Sequence, residues 1–317
     1  MATITNPKLP LLVLVGPTAV GKTKLSLDLA HRFDAEIISG DSMQVYRQMD
    51  IGTAKLPLDE REGIVHHMMD IHEPDEAFSV AEFHDRAKPL IEDIHARGKL
   101  PFIVGGTGLY VESLCYGFEF SEQGSDEAFR DEMADYAEQY GNEALHQRLA
   151  EIDPESAGRL HANDVRRVIR ALEVYHMTGR TMSQQLEHQT REPQYQLCLI
   201  GLTMDRQLLY KRIEERIDEM LAQGLVQEVE SLLARGYDRK LVSMQGLGYK
   251  EIAAYLEGEL SYEAAVTLLK RDTRHFAKRQ LSWFRRMKDI HWVDVTDNSC
   301  YKQHLLEICG LIAGKLH

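Results

Sequence analysis

Five apolar residues, Leu11-Leu12-Val13-Leu14-Val15, run directly into Gly16-Pro17-Thr18-Ala19-Val20-Gly21-Lys22-Thr23 and then into a helical stretch with Leu25, Leu29 and Phe33 four apart. A short continuous apolar run is what a parallel strand buried on both faces requires. The octapeptide matches G-x-x-x-x-G-K-[ST] in its proper setting between strand and helix. That order commits the start of the chain to an open parallel α/β sheet with helical crossovers. The glycines let backbone N–H groups curl around an anion, and the helix start adds its dipole. Lys22 supplies a point charge, and the Thr23 hydroxyl suits a Mg²⁺ that also holds phosphate oxygens. Residues Gly16, Pro17, Thr18, Ala19, Val20, Gly21, Lys22 and Thr23 are therefore the expected phosphate site. The motif leaves open which phosphate compound binds and whether phosphoryl transfer occurs.

Further strands are expected at Glu36–Ser39, Pro101–Val104, Leu197–Ile200 and Ile290–Val293, with helices between them. The middle reads differently. Phe129, Met133, Tyr136 and Tyr140 form a helical stripe, and Asn163 or Asp164 can cap a helix carrying Val165, Val168, Ile169 and Leu172 that Gly179 ends. Thr181 and Gln184 have capping-box spacing. The expected architecture is a P-loop NTPase-like parallel sheet flanked by helices, with an all-helical insertion. Residues 1–115 form the first part of the core, 116–194 the insertion, and 195–317 the second part. Leu209, Ile213, Ile217 and Met220 predict a helix ended by Gly224, and a long helix should cover Ser261–Lys288.

The 317 residues carry a net charge of −13, which argues against a protein that coats nucleic acid indiscriminately. The charge is unevenly spread. Glu119 to Glu155 holds twelve acidic and two basic residues, a local −10, whereas Lys270 to Lys288 holds eight basic and one acidic, a local +7. A nucleic acid responds to the nearby patch more than to the distant total. No apolar run approaches the roughly 18–20 residues of a membrane helix, so no membrane partner is expected. Cys115, Cys198, Cys300 and Cys309 form no C-x-x-C pair, which points to free thiols in a reducing compartment and a cytoplasmic enzyme.

The second strand runs into Asp41-Ser42-Met43-Gln44. Ligands of open α/β sheets bind beyond the carboxyl ends of the strands, so Asp41 belongs beside the P-loop as Mg²⁺ holder, as general base, or merely as a turn residue. Arg166, Arg167 and Arg170 crowd one helical turn with Val168 and Ile169, either as a solvated face or as an RNA-backbone contact. In Lys278-Arg279-Gln280-Leu281-Ser282-Trp283-Phe284-Arg285, cations for phosphates alternate with aromatics able to stack on bases, although Trp283 and Phe284 fit a core equally well. Gln245-Gly246-Leu247-Gly248-Tyr249-Lys250 has glycines that permit close backbone approach to a ligand. Arg216 can equally serve a helix salt bridge with Glu215 or Asp218. Adjacent His66 and His67 diverge and lack a third ligand, which disfavours a metal role.

The segments G-P-T-A-V-G-K-T, D-S-M-Q-V-Y-R-Q-M-D-I-G-T-A-K-L, V-G-G-T-G-L-Y, D-V-R-R-V-I-R-A-L-E-V-Y, G-L-G-Y-K-E and A-K-R-Q-L-S-W-F-R-R closely resemble the tRNA dimethylallyltransferases, in the right order over nearly the whole chain. The lack of a C-terminal Cys/His finger resembles the bacterial branch. The resemblance implies that the P-loop takes the diphosphate of dimethylallyl diphosphate. It implies transfer of the dimethylallyl group to N6 of the adenosine 3′ of the tRNA anticodon; Mg²⁺ is the expected cofactor and a monomer the expected state. It casts Asp41, Arg216 and Thr107 as catalytic and Thr23 as metal ligand. The tRNA contacts it implies are Asp41, Ser42, Met43, Gln44 and Thr107, Arg130 with Arg166–Arg170, and the stretches Gln245–Lys250 and Lys278–Arg285. Three other readings remain: an adenylate isopentenyltransferase acting on free nucleotide, a P-loop kinase using ATP, and a non-catalytic RNA-binding switch. Whether ATP competes at the P-loop is likewise open.

Overall fold

The structure, a computed structural model, describes residues 8–118, 124–187 and 192–316; the insertion segments 119–123 and 188–191 lie outside them. The first unit comprises residues 1–116 and 193–317. Its sheet begins with β1 (Pro10–Val15), followed by α1 (Lys22–Arg32), β2 (Ala35–Ser39), β3 (His66–His67), α2 (Val80–Ala96), β4 (Leu100–Gly105) and α3 (Gly108–Tyr116). The second unit, Gly117–Glu192, holds α4 (Glu127–Tyr140), α5 (Asn142–Ile152), α6 (Pro154–Arg159), α7 (Val165–Thr178) and α8 (Met182–Glu187). The first unit resumes with β5 (Gln196–Thr203), α9 (Arg206–Gln223), α10 (Leu225–Ala234), α11 (Tyr249–Leu256), α12 (Tyr262–Phe284), β6 (His291–Asp294) and α13 (Tyr301–Leu316).

The six strands lie in the order β3-β2-β4-β1-β5-β6, and every pairing is parallel. Leu11–Val15 of β1 have no exposed surface, because β4 and β5 flank the strand and helices cover the sheet. The chain reverses direction along the sheet around β1, and loops from β1, β2 and β4 meet at their carboxyl ends, the usual ligand crevice of this architecture.

The expected strands are present, each with boundaries one to four residues wider or shifted. The pair β3 was not expected: it has no apolar run, and two histidines are held as a strand only by Ile37 and Ile38 beside them. His67 bonds Glu36 at 2.7 Å and His66 bonds the Ile64 carbonyl at 2.9 Å. Arg97, donating to Glu36, holds this carboxylate down at about 2. The long helix begins as expected, with Ser261 accepting from Ala264 N–H. It ends at Phe284, four residues before Lys288, as Met287 turns back into the interior.

In the second unit Met133, Leu145, Leu149, Val168 and Leu172 form a core of their own. Thr181 and Gln184 exchange the two bonds of a capping box at 3.0 and 3.2 Å. Asp164 occupies the cap position of α7 without a side-chain bond, and Gly179 closes that helix in the left-handed region at φ 67°.

The site is shaped by a close crossing of two chain segments leaving the sheet. Gly40 donates to Val104 O at 2.8 Å and accepts from Thr107 N–H at 3.1 Å. A Cβ on Gly105 would lie 2.3 Å from the Gly40 oxygen, so only glycine fits. Gly105→Ala should cost about 1–3 kcal/mol by overpacking against backbone that has nowhere to move, seen as a lower urea midpoint at unchanged m-value. A midpoint equal to that of the unsubstituted protein would show that the crossing can open freely.

Candidate active site

The P-loop joins β1 to α1, and α1 starts at Lys22 with no side chain capping its first N–H groups. An uncapped helix start of this kind suits an anion. Lys22 Nζ donates to the Gly16 and Pro17 carbonyls, both at 2.8 Å. Burial, then the nearby Arg216, lower its pKa to about 7, against the opposing pull of Asp41. Arg216 on α9 is likewise destabilised as a cation, chiefly by burial. The salt-bridge alternative for Arg216 finds no support. Glu215 pairs with Lys211 at 3.7 Å and Asp218 with Lys270 at 2.6 Å, and among the described residues no carboxylate is bonded to Arg216.

Two adjoining cavities meet here. One of about 480 Å³ is lined by Lys22, Thr23, Arg212 and Arg216 among others. The other, about 330 Å³, is lined by Met43, Ile213, Ile217, Met220, Leu247 and Leu269. Asp41, Thr18, Arg216 and Phe276 line both. A charged chamber, with Lys22, Arg212 and Arg216 alongside Asp41, Glu215 and Glu219, thus opens onto a mainly apolar one at Asp41. Asp41 Oδ1 accepts from Met43 N–H at 2.9 Å, so the turn role is real, and the second oxygen has no partner among the described residues. Thr107 Oγ1 accepts from Ser42 N–H at 3.0 Å and lies 3.3 Å from Ser42 Oγ, which fixes the Asp41 turn from the end of β4. The Gln44 amide, expected at an RNA surface, is engaged by Ser39 at 2.8 Å and the Thr53 carbonyl at 3.3 Å.

The wall opposite is held by a residue that sequence reasoning missed. Glu228 of α10 accepts from the N–H groups of Asp50, Ile51 and Gly52 at 2.8–3.0 Å and from Tyr249 OH at 2.7 Å. One carboxylate thereby ties the loop after β2 to Gln245–Lys250. Glu228 lies in a plain amphipathic helix, and no local pattern marks it. Lys55 anchors the same loop, buried between Asp50 and Asp70.

Several residues expected to touch RNA turn inward. Val168 and Ile169 are core residues of the insertion. Tyr249 and Phe284 are also buried, and Gln280 is enclosed beside the P-loop. A helix presents only some of its residues to solvent, so contiguous stretches cannot act as a single surface. Trp283 packs on Gly108, whose Cβ position lies 2.3 Å from its ring, and Arg286 lies over that ring. Leu281 packs against the core.

The charges separate in a similar way. In the insertion, Arg130 and Arg170 both pair with the fully buried Glu173, at 2.9 and 2.6 Å. Arg166 and Arg167 are exposed and carry no ion pair among the described residues. On α12, Lys270 and Arg274 pair with Asp218 and Glu214 of α9. Lys278, Arg279 and Arg285 are exposed and carry no ion pair among the described residues, and Ser282 is exposed beside them. The net +7 of this stretch therefore reaches solvent mainly at its C-terminal half.

Comparison with known proteins accounts for this arrangement. The IPP transferase family model matches residues 44–287. The chain belongs to the IPP transferase family. It is 53% identical over 304 residues to a tRNA dimethylallyltransferase of Bacillus cytotoxicus, covering 96% of this chain and 95% of that one. It is also 53% identical to its counterpart from Geobacillus thermodenitrificans over 306 residues, 96% and 97% of the two chains. Among solved structures, it is similar to the tRNA isopentenylpyrophosphate transferase of Bacillus halodurans, with a TM-score of 0.75, 48% identity and coverage of 98% and 97%. It is also similar to a eukaryotic dimethylallyltransferase acting on tRNA, with a TM-score of 0.79, 32% identity and coverage of 95% and 77%. The matched family region begins after the P-loop and contains the loop from Gln44, the whole insertion, α9 and α12, so the family match does not depend on the P-loop.

The electrostatics of Lys22 make a pH test available. An anion in the charged chamber favours the ammonium, so above pH 7 binding must take up a proton. Affinity for inorganic diphosphate should fall as pH rises from 7 to 9, by up to about tenfold per unit. Calorimetry at pH 8 in buffers of different ionisation enthalpy should register the proton uptake. Relative to the unsubstituted protein, Lys22→Met should bind weakly with a flattened pH dependence; parallel pH profiles for the two proteins would refute the assignment.

Proposed function

We propose that this protein transfers the dimethylallyl group of dimethylallyl diphosphate to N6 of the adenosine 3′ of the tRNA anticodon, releasing diphosphate. The observation that carries this reading is the junction at Asp41 of the chamber holding the P-loop, Lys22 and Arg216 with a mainly apolar one. A donor with an anionic head and a short branched hydrocarbon matches that polarity in order. The relatives' names supply tRNA as acceptor. A base inside an RNA loop must be extruded to reach such an enclosed junction.

The exocyclic amine is a poor nucleophile because its lone pair is delocalised into the ring. Asp41 orients it and accepts one N6 proton as the N6–C1 bond forms and the C1–O bond to diphosphate breaks. The electron pair of the broken bond leaves with diphosphate, stabilised by the P-loop N–H groups, Lys22 and Arg216. Thr107 keeps the Asp41 turn in place.

The donor set also fits a magnesium ion. Mg²⁺ typically takes one or two protein oxygens, with water and phosphate completing its shell. Thr23 offers a hydroxyl at the P-loop, and Asp41 lies across the same cavity. Bound there, Mg²⁺ would neutralise part of the charge on the leaving group. Protein-only metal cages are a different matter: no cluster of three His, Cys, Asp or Glu exists among the described residues. The kinase alternative is less well supported. P-loop nucleotide hydrolases hold Mg²⁺ with a further Asp from the Walker B strand. Here β4, the strand beside β1, ends in Gly105-Gly106, where a Cβ would overlap Gly40 or Gln280.

One incubation with labelled dimethylallyl diphosphate, tRNA and AMP tests the reading. Label should enter tRNA and not AMP. Label in AMP at a comparable rate would favour the free-nucleotide enzyme, and no transfer to either would sink the proposal. Asp41→Asn should lower turnover about 10²–10⁴-fold with little change in tRNA affinity; near-normal turnover would remove Asp41 as base.

RNA binding should weaken with salt, with a log–log slope of about −0.7 to −0.9 per phosphate neutralised. The unpaired cations define where. Replacing Arg166 and Arg167 together, or Lys278 and Arg279 together, with alanine should each reduce the slope by about one to two units. Arg130→Ala should instead lower stability, because it leaves Glu173 underpaired. Slopes unchanged in both double variants would place the RNA surface elsewhere.

A further inference from the structure

We infer that Gln280 is a positioning residue of the donor site, locking the P-loop to the end of β4, and not a contact for RNA. The inference rests on the reading of the P-loop as the diphosphate site. Gln280 projects from α12 between two loops that no other side chain among the described residues joins in this way. Its Oε1 accepts from Thr18 N–H at 2.9 Å, and its Nε2 donates to the Gly106 carbonyl at 3.1 Å. The side chain is 6% exposed, so both ends of the amide are engaged in protein.

The geometry explains why this amide matters. Thr18 lies in the first arm of the P-loop, between the Gly16 and Pro17 carbonyls that hold Lys22 and the N–H groups at the start of α1. Gly106 precedes Thr107, which fixes the turn carrying Asp41. Gln280 therefore spans from the arm that shapes the diphosphate cradle to the segment that aims the proposed base. A Cβ on Gly106 would lie 2.2 Å from Gln280 Nε2, so the glycine makes room for the amide. The neighbours on α12 look the other way. Lys278 and Arg279 are exposed, so one turn of helix presents cations outward and the locking amide inward. Loss of the amide leaves a buried N–H and a buried carbonyl without partners, and the P-loop arm loses its register with β4. A displacement of about 1 Å at a reacting site can cost up to 10²-fold.

The test measures three quantities separately on the full chain. Gln280→Met keeps the length and removes both bonds. Its affinity for inorganic diphosphate without RNA should fall about ten- to a hundredfold and kcat by a similar factor. The Kd for tRNA without donor should stay within about twofold of the unsubstituted value. Gly106→Ala, which pushes the amide away from the opposite side, should reproduce this pattern and serves if Gln280→Met fails to fold. Gln280→Glu, which keeps the Thr18 acceptor but sets a carboxylate oxygen against the Gly106 carbonyl, should lower diphosphate affinity at least as much as Gln280→Met. A raised tRNA Kd with unchanged diphosphate affinity would overturn the inference and make Gln280 an RNA contact. Unchanged values for all three quantities would overturn it as well. Failure of the unsubstituted protein to bind diphosphate would instead refute the donor reading on which it rests.

Discussion

Lys22 and Arg216 line one cavity at the end of the sheet, and the rest of the site is arranged around that fact. Burial lowers the preference of both for charge, and Arg216 lowers that of Lys22 further. Asp41 is the carboxylate that acts on both, bonded to its own turn and paired with neither among the described residues, and Glu219 acts on Arg216 as well. Like charges enclosed together are tolerable when something anionic completes the set. Lys22 is held by the Gly16 and Pro17 carbonyls of its own loop.

Positioning in this protein depends on single polar side chains that span distant segments. Glu228 gathers three backbone N–H groups and a phenol, and so couples α10, the loop after β2 and the start of α11. Burial, reinforced by the Glu228 carboxylate, pushes the Tyr249 phenol well above its ordinary range, which keeps it a donor. Gln280 does the comparable work at the P-loop. Buried groups of this kind are costly if left half-satisfied, so each clamp holds its segments in one arrangement.

The insertion resolves its charge problem locally. Its acidic excess includes Glu173, sunk into the helical unit and matched by Arg130, Arg170 and the Asp126 N–H. Two arginines are thereby committed to folding, and Arg166 and Arg167 are left to face solvent. The first unit partitions α12 in the same manner, with α9 neutralising its N-terminal half. A net charge of −13 is then compatible with a polyanionic partner, because the unpaired cations lie at particular turns and are not cancelled by distant carboxylates.

Much of this protein can be read along the chain. Apolar Leu11–Val15, the glycine loop and the periodic helices determine a parallel sheet whose first helix starts uncapped at Lys22, because strand burial and loop backbone are local consequences of residue type. The same holds for the Thr181–Gln184 cap and the Gly179 helix end, which involve partners three or four residues apart. Asp41 could be placed beside the P-loop because strand ends converge in any open α/β sheet. Tertiary structure decided the matters that depend on distant partners. It made His66-His67 a strand through Ile37 and Ile38, gave Glu215 and Asp218 to lysines and left Arg216 open, and turned Val168, Phe284 and Tyr249 inward. Glu228 and Gln280 carry no local signature, since their partners lie between 21 and 262 residues away. A pattern along the chain reports which residues share a face; which face is covered, and by what, is set only when the segments pack.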